Sequence, residues 1–202
     1  MSEIKNDGQD NQNVIKVILV GDSGTGKTNL ISVWSGLEFN SNQLTTTSCS
    51  YMQKVIINNG KEYKVNLWDT IGQEKYRSLT KIFMKDSKIV IFVYDITSRE
   101  SFESLKFWKQ TIDDILGHGP MFGVVGNKID LYYDEKVKEE EGEEYSNSID
   151  AKFLITSAKN NSIEFRNYIE ELVNEYLEKG IEQRTESIVI NRIPKKRNVC
   201  LC

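Results

Sequence analysis

Val14-Ile15-Lys16-Val17-Ile18-Leu19-Val20 is apolar at every position but Lys16. A short β-branched run of this kind predicts a strand buried on both faces of a parallel sheet. Asn29 to Trp34 follows with helical potential, and Gly36 to Ser50 is a polar, Thr/Ser-rich loop with little periodicity. Tyr51 to Ile57 is strand-like, and Asn58-Asn59-Gly60 is a strong hairpin signal. Tyr63, Val65 and Leu67 then alternate with Lys64 and Asn66, which predicts a half-exposed strand. It pairs antiparallel with the strand before it, and that earlier strand lies at the sheet edge. Tyr76 to Ser87 is mixed and part helix; Ile89 to Tyr94 is a second buried strand. Ser98 to Leu116 places Phe102, Leu105, Trp108, Ile112 and Ile115 at helical spacing until Gly117-His118-Gly119-Pro120 stops it. Phe122 to Val125 and Phe153 to Ile155 are the remaining strands. Ser162 to Lys179 closes the domain as a helix with Ile163, Ile169, Leu172, Val173 and Tyr176 on one face. Strands alternating with helices predict a doubly wound α/β domain whose ligands bind at the carboxyl ends of the strands.

Composition bounds the function classes. The 202 residues suit one domain with short tails: a disordered arm to Asn13, a domain over residues 14–180, and a flexible tail over residues 181–202. A formal net charge of −4 argues against a general nucleic-acid binder. There is no apolar run of transmembrane length and no secretory signal. The three cysteines, Cys49, Cys200 and Cys202, make no disulfide framework, so a reducing, cytosolic setting is expected. Cys49 reads as a small packing residue and His118 as a loop residue. One His and no Cys/His cluster speak against zinc. The acidic run Glu135 to Glu144 reads as a solvated face.

Between the first strand and the first helix lies Gly21-Asp22-Ser23-Gly24-Thr25-Gly26-Lys27-Thr28, which fits G-x-x-x-x-G-K-[ST] at every fixed position. Glycines let the backbone curl so that successive N–H groups converge on one anion. The following helix presents its positive end to it. Lys27 supplies a point charge for β- and γ-phosphates, and the Thr28 hydroxyl is a hard oxygen ligand suited to Mg²⁺.

Other segments meet the needs of a nucleotide site at further strand ends. Asp69 ends an apolar strand, where a carboxylate can hold Mg²⁺ through water. Gly72 can bring a backbone N–H to a γ-phosphate, and Gln73 can orient an attacking water as the catalytic residue. In Asn127-Lys128-Ile129-Asp130 the last carboxylate can accept from the N1–H and N2–H₂ edge of guanine, while the stem of Lys128 covers one base face. Adenine has no such donor pair, so GTP and GDP are favoured over ATP.

With these motifs in place, the chain resembles the Ras superfamily of small GTPases, most closely its Rab branch, over about Ile15 to Tyr176. The resemblance implies a P-loop fold with a six-stranded, mostly parallel sheet, one antiparallel edge strand and helices on both faces. It places Phe39 edge-on to guanine and Thr46 at Mg²⁺ and the γ-phosphate. It places Ser157-Ala158-Lys159 at the base, with the Ala158 N–H at the guanine O6. Lys64 to Trp68 and Lys75-Tyr76-Arg77-Ser78-Leu79 resemble Rab-specific segments. Cys200-Leu201-Cys202 is similar to a Rab double-prenylation ending and is not C-a-a-X, since Val199 stands fourth from the end. Arg184, Arg192, Lys195, Lys196 and Arg197 outnumber Glu182 and Glu186 in the tail, which draws it to an anionic leaflet.

The implied function is a GTP/GDP-operated switch that hydrolyses GTP, in vesicle-mediated transport, on the cytosolic face of an intracellular or plasma membrane. Implied partners are a guanine-nucleotide exchange factor, a GTPase-activating protein, prenylation and membrane-extraction chaperones, and effectors at Leu44 to Tyr51 and Gly72 to Leu79. The protein is expected to be a monomer. Three segments depart from the pattern. Thr47-Ser48-Cys49-Ser50-Tyr51 and Phe83-Met84-Lys85 differ on the effector-facing surface, so effector identity does not carry over. Ile71 replaces a near-universal Ala before Gly72. It supports an alternative, a GTP-binding scaffold with very slow or absent hydrolysis. A third class, a P-loop kinase or ATPase, is opposed by Asp130 and by the lack of an Arg-rich lid segment.

Overall fold

The structure is a computed structural model that describes residues 13–44, 46, 49–70, 82–117, 119–160 and 162–192, with side chains described to residue 180. The readings made for the arm before Asn13, for Ile71 to Lys81, for His118 and for Cys200 and Cys202 lie outside the described residues.

Among the described residues, six strands form one sheet in the order β2-β3-β1-β4-β5-β6. They are β1 (Val14–Val20), β2 (Ser50–Asn58), β3 (Lys61–Asp69), β4 (Ile89–Asp95), β5 (Met121–Asn127) and β6 (Ala151–Ile155). All neighbours pair in parallel except β2 with β3. The hairpin turn has two residues, Asn59 and Gly60, both at positive φ (49° and 76°). That pair of left-handed residues matches the twist of the flanking strands, and Asn-Gly tolerates it. Asn58 therefore faces Lys61, and the register holds up to Ser50 opposite Asp69.

The helices are α1 (Lys27–Ser35), α2 (Arg99–Glu103), α3 (Leu105–Leu116), α4 (Glu139–Ser148) and α5 (Ser162–Arg192), with a 3-10 helix over Ile129–Asp134. They cover both faces of the sheet, and two separate cores result. Val17 and Leu19 of β1 pack with Leu30, Trp34, Phe165, Ile169 and Leu172. Ile18 and Val20 pack on the other face with Phe92, Trp108, Ile112 and Val137. Alternate side chains of β1 thus enter different cores, which is why its apolar run is nearly continuous.

Four details differ from the sequence reading. The helix expected from Ser98 to Leu116 divides at Ser104. Its hydrogen bonds nonetheless continue, from Ser104 N–H to Glu100 O and from Trp108 N–H to Ser104 O (3.0 and 3.1 Å). Ser98 caps the first piece by accepting from Ser101 N–H. Secondly, Ile163 is 68% exposed, while Phe165 and Tyr168 fill the core. Phe165, Tyr168, Ile169, Leu172 and Val173 follow the three- and four-residue spacing of one helix face; Ile163, two residues before Phe165, falls on the opposite side.

Thirdly, α5 does not stop at Gly180 but continues to Arg192, through the first part of the expected tail. Finally, the acidic run is solvated over Glu139, Glu140, Glu143 and Glu144, but Val137 and Gly142 within it are buried. Glu141 accepts from the Lys138 N–H (3.1 Å) and pairs with Arg99 (2.6 Å), which fixes the start of α4 on α2.

Candidate nucleotide site

Because β1, β3, β4, β5 and β6 are mutually parallel, their carboxyl ends share one edge of the sheet. Gly21, Asp69, Asp95, Asn127 and Thr156 leave the sheet there. A cavity of about 420 Å³ opens on this edge. Ser23, Gly24, Gly26, Lys27 and Thr28 line one end of it and Asn127, Lys128, Asp130, Ala158 and Lys159 the other, with Phe39 and Thr46 on the loop that flanks both.

At the first end Lys27 is 5% exposed and donates to the carbonyls of Gly21 and Asp22 (2.8 and 2.7 Å). Burial lowers its pKa to about 8, against the opposing pull of the Asp69 and Asp22 carboxylates. The ammonium is therefore held where water no longer solvates it fully, and a phosphate would restore what burial removes. Gly26, at φ 93°, has no room for a side chain: a Cβ there would lie 2.3 Å from Asn127 Nδ2. The loop and the Asn127 amide are thus packed directly together, and Asn127 Nδ2 donates to Thr25 O (2.8 Å).

Next to Lys27, the Thr28 hydroxyl lies 2.7 Å from Asp69 Oδ2 and 2.7 Å from Thr46 Oγ1; Thr46 Oγ1 is itself 3.3 Å from Asp69 Oδ2. The other carboxylate oxygen, Asp69 Oδ1, is buried and has no hydrogen-bond partner among the described residues. Burial raises the Asp69 pKa, opposed chiefly by the Thr28 hydrogen bond. A buried carboxylate with an orphaned oxygen and two hydroxyls beside it fits a hard divalent cation such as Mg²⁺. Among the described residues no group of three His, Cys, Asp or Glu side chains gathers. One carboxylate and two hydroxyls leave the remaining positions to water and phosphate oxygens, as Mg²⁺ prefers.

At the other end Asn127 also accepts, through Oδ1, from the Ala158 N–H (3.1 Å). One buried amide therefore joins the phosphate loop to the β6 loop. Asp130 Oδ1 accepts from the Ser157 hydroxyl (2.5 Å), and Ser157 Oγ in turn accepts from the N–H groups of Lys159 and Asn160 (3.1 and 3.2 Å). Lys128 sits at φ 72°, a left-handed conformation rare for a non-glycine residue. Its ammonium is held by Asp95 Oδ2 at 2.6 Å, so its stem runs along the cavity wall. Asp95 is fixed by Thr97, whose N–H and hydroxyl donate to Oδ1 (2.9 and 2.8 Å).

Gly21, Asp22, Thr25, Asp69 and Ser157 stand behind the lining. Asp22 Oδ1 accepts from the indole N–H of Trp108 on α3 (2.8 Å). Gly72 and Gln73 lie outside the described residues. Sequence reasoning missed Asn29, Ser41, Gln43, Leu44, Thr70 and Leu131, all of which line the cavity. It also missed Asp95, although that residue ends an apolar strand in the same manner as Asp69. Trp108 was assigned to the core, where its ring is, and gave no sign of its hydrogen bond.

Comparison with known proteins agrees with this geometry. The family model described as "Ras family" matches residues 16–178. Ras-related protein Rab-21 of Homo sapiens is 39% identical over 146 residues, covering 72% of this chain and 65% of that protein. Ras-related protein RabC of Dictyostelium discoideum is 38% identical over 149 residues, 73% of this chain and 76% of that protein. Ras-related protein SEC4 of Candida albicans is 34% identical over 148 residues, 73% and 70%. The chain spans just under two thirds of the length of its Rab-21 relatives. The match runs through the phosphate loop, the Asp69 strand and the Asn127 and Ser157 loops alike, and the chain belongs to the Ras family of small GTPases, as a member of the Rab type.

Proposed function

We propose that the protein is a switch operated by GTP and GDP that acts in vesicle traffic and hydrolyses GTP slowly. One observation supports this above the others. A single cavity joins a desolvated lysine and a cation-ready carboxylate at one end to an Asn-Lys-x-Asp carboxylate at the other. Lys27 and the N–H groups of the loop from Gly21 to Gly26 bind the β- and γ-phosphates. Thr28, Thr46 and Asp69 hold Mg²⁺, which would neutralise phosphate charge. Asp130 accepts from the guanine edge, Lys128 and Phe39 flank the base, and the Ala158 N–H meets its O6. Gln73 orients the water that attacks the γ-phosphorus.

In this reading the Thr46 loop and the Gly72 loop are gathered by the γ-phosphate and released on hydrolysis, and the gathered surface is what effectors bind. An exchange factor and a GTPase-activating protein set the timing. Cys200 and Cys202 are the candidate lipid-bearing residues for attachment to a membrane; among the described residues no helix is long and apolar enough to cross one. Calorimetry with GDP and ADP in Mg²⁺ tests the nucleotide assignment: GDP should bind far more tightly, and equal affinities would remove it. Single-turnover phosphate release, comparing the unaltered chain with Ile71→Ala, tests the slow step. The variant should be faster. An unchanged rate would leave Ile71 without kinetic consequence.

A further inference from the structure

The loop between α1 and β2 carries Phe39 at its start and Thr46 beyond it, and two adjacent residues of α1 hold it. Thr28 meets Thr46 through a hydroxyl pair shared with Asp69. Asn29 meets the backbone at Asn40 through two reciprocal bonds. Its Nδ2 donates to Asn40 O (3.0 Å), and its Oδ1 accepts from Asn40 N–H (3.1 Å). Asn29 is 9% exposed and lines the cavity. On the loop side, Asn40 Oδ1 accepts from Asn42 N–H (2.9 Å), so the clipped segment is itself turned and closed.

The two attachments differ in kind. The Thr28–Thr46 contact involves oxygens that a cation would claim, so it changes with what the site holds. Asn29–Asn40 uses a neutral amide and backbone groups, and nothing in it depends on ligand. Of the side chains of this length, an amide alone offers a donor and an acceptor side by side, which is what one backbone carbonyl and one N–H require. We infer that Asn29 is a positioning residue: it clips the loop at Asn40, holds Phe39 against the base while Thr46 comes and goes, and so retards nucleotide release. This rests on the guanine-nucleotide reading above.

A double-mutant cycle on the full chain, loaded with N-methylanthraniloyl-GDP and Mg²⁺ and chased with GDP, tests it. Asn29→Ala should speed release roughly tenfold, the loss of two neutral hydrogen bonds. Phe39→Ala should also speed release, and the double variant should release no faster than Phe39→Ala alone, because the clip acts through Phe39. Asn29→Asp keeps the acceptor and the shape but turns an anionic oxygen on the Asn40 carbonyl, so it should release at least as fast as Asn29→Ala. It also serves if Asn29→Ala fails to load. Unchanged release in both Asn29 variants overturns the clip, as does a double variant whose acceleration is the product of the two singles. If Phe39→Ala alone leaves release unchanged, the assignment of the base to that end of the cavity fails, and the clip fails with it.

Discussion

The two ends of the cavity are built by different means. The phosphate end comes from one unbroken stretch, Gly21 to Thr28, with two residues from elsewhere in the chain, Thr46 and Asp69, meeting it at Thr28. Its working groups are charged and buried, and burial shifts both Lys27 and Asp69 toward their neutral forms. The base end comes from three strand ends, β4, β5 and β6. Its groups are fixed by one another: Lys128 by Asp95, Asp130 by Ser157, Ala158 by Asn127. The first end gains affinity from charges kept out of water, which a ligand restores to favourable surroundings. The second gains selectivity from orientation, since each carboxylate and amide is already committed to one direction. Asn127 is the joint, hydrogen-bonded to both ends.

Breaking the phosphate end should have the largest effect. Lys27→Ala removes a buried cation, and with charged hydrogen bonds contributing about 1.5–3 kcal/mol each, GDP affinity should fall on the order of 1000-fold in calorimetry. A smaller change should come from the base end. Asp130→Asn leaves the phosphates untouched but replaces an acceptor with a donor, so preference should move from guanine toward xanthine nucleotides. A bidentate base contact of about 1–3 kcal/mol makes that roughly 10- to 100-fold, read from competition of GDP against XDP. Equal losses for both nucleotides would place Asp130 outside base recognition.

The charge at Lys27 can also be sharpened by pH. In the free protein it loses its proton near pH 8. Bound phosphate favours the ammonium and raises that pKa, so binding takes up a proton above pH 8 and affinity declines as pH rises. By pH 9 the loss should be about tenfold, with proton uptake visible as a buffer-dependent binding enthalpy that vanishes near pH 6.5. Least of all, Trp108→Phe removes the indole donor to Asp22. Loss of about 1 kcal/mol should lower the melting temperature by roughly 2–4 °C. Both nucleotides should be affected alike, since the support lies under the phosphate loop.

The same division governs what could be read from the sequence. The phosphate loop and Asn127-Lys128-Ile129-Asp130 are local: their residues are neighbours in the chain, so spacing alone reveals the chemistry. Asn29 to Asn40, Trp108 to Asp22 and Lys128 to Asp95 join residues from different elements, and no period or motif marks them. β1 and β4 were legible because burial on both faces leaves a continuous apolar run, and β3 because its half-exposed face leaves an alternating one. The end of α5 was not, because residues 181–192 show no apolar period to mark a helix. Ile163 was misplaced because apolarity was counted without its angle around the axis.

The hairpin turn at Asn59-Gly60 also bears on the order in which the sheet assembles. A two-residue loop with both residues left-handed closes with little loss of chain entropy, and such hairpins form in about 1–10 μs. Every other pairing waits on long loops: Val14 must find Lys64, and Val17 must find Ile89. Contacts so distant along the chain are the slow ones. β2 and β3 can therefore zip before the central strand arrives, leaving the unpaired side of β3 open as a template. Gly60→Val would forbid the left-handed turn. The first effect should be a slower refolding phase, with the nucleotide cavity, far from the turn, intact once folding is complete.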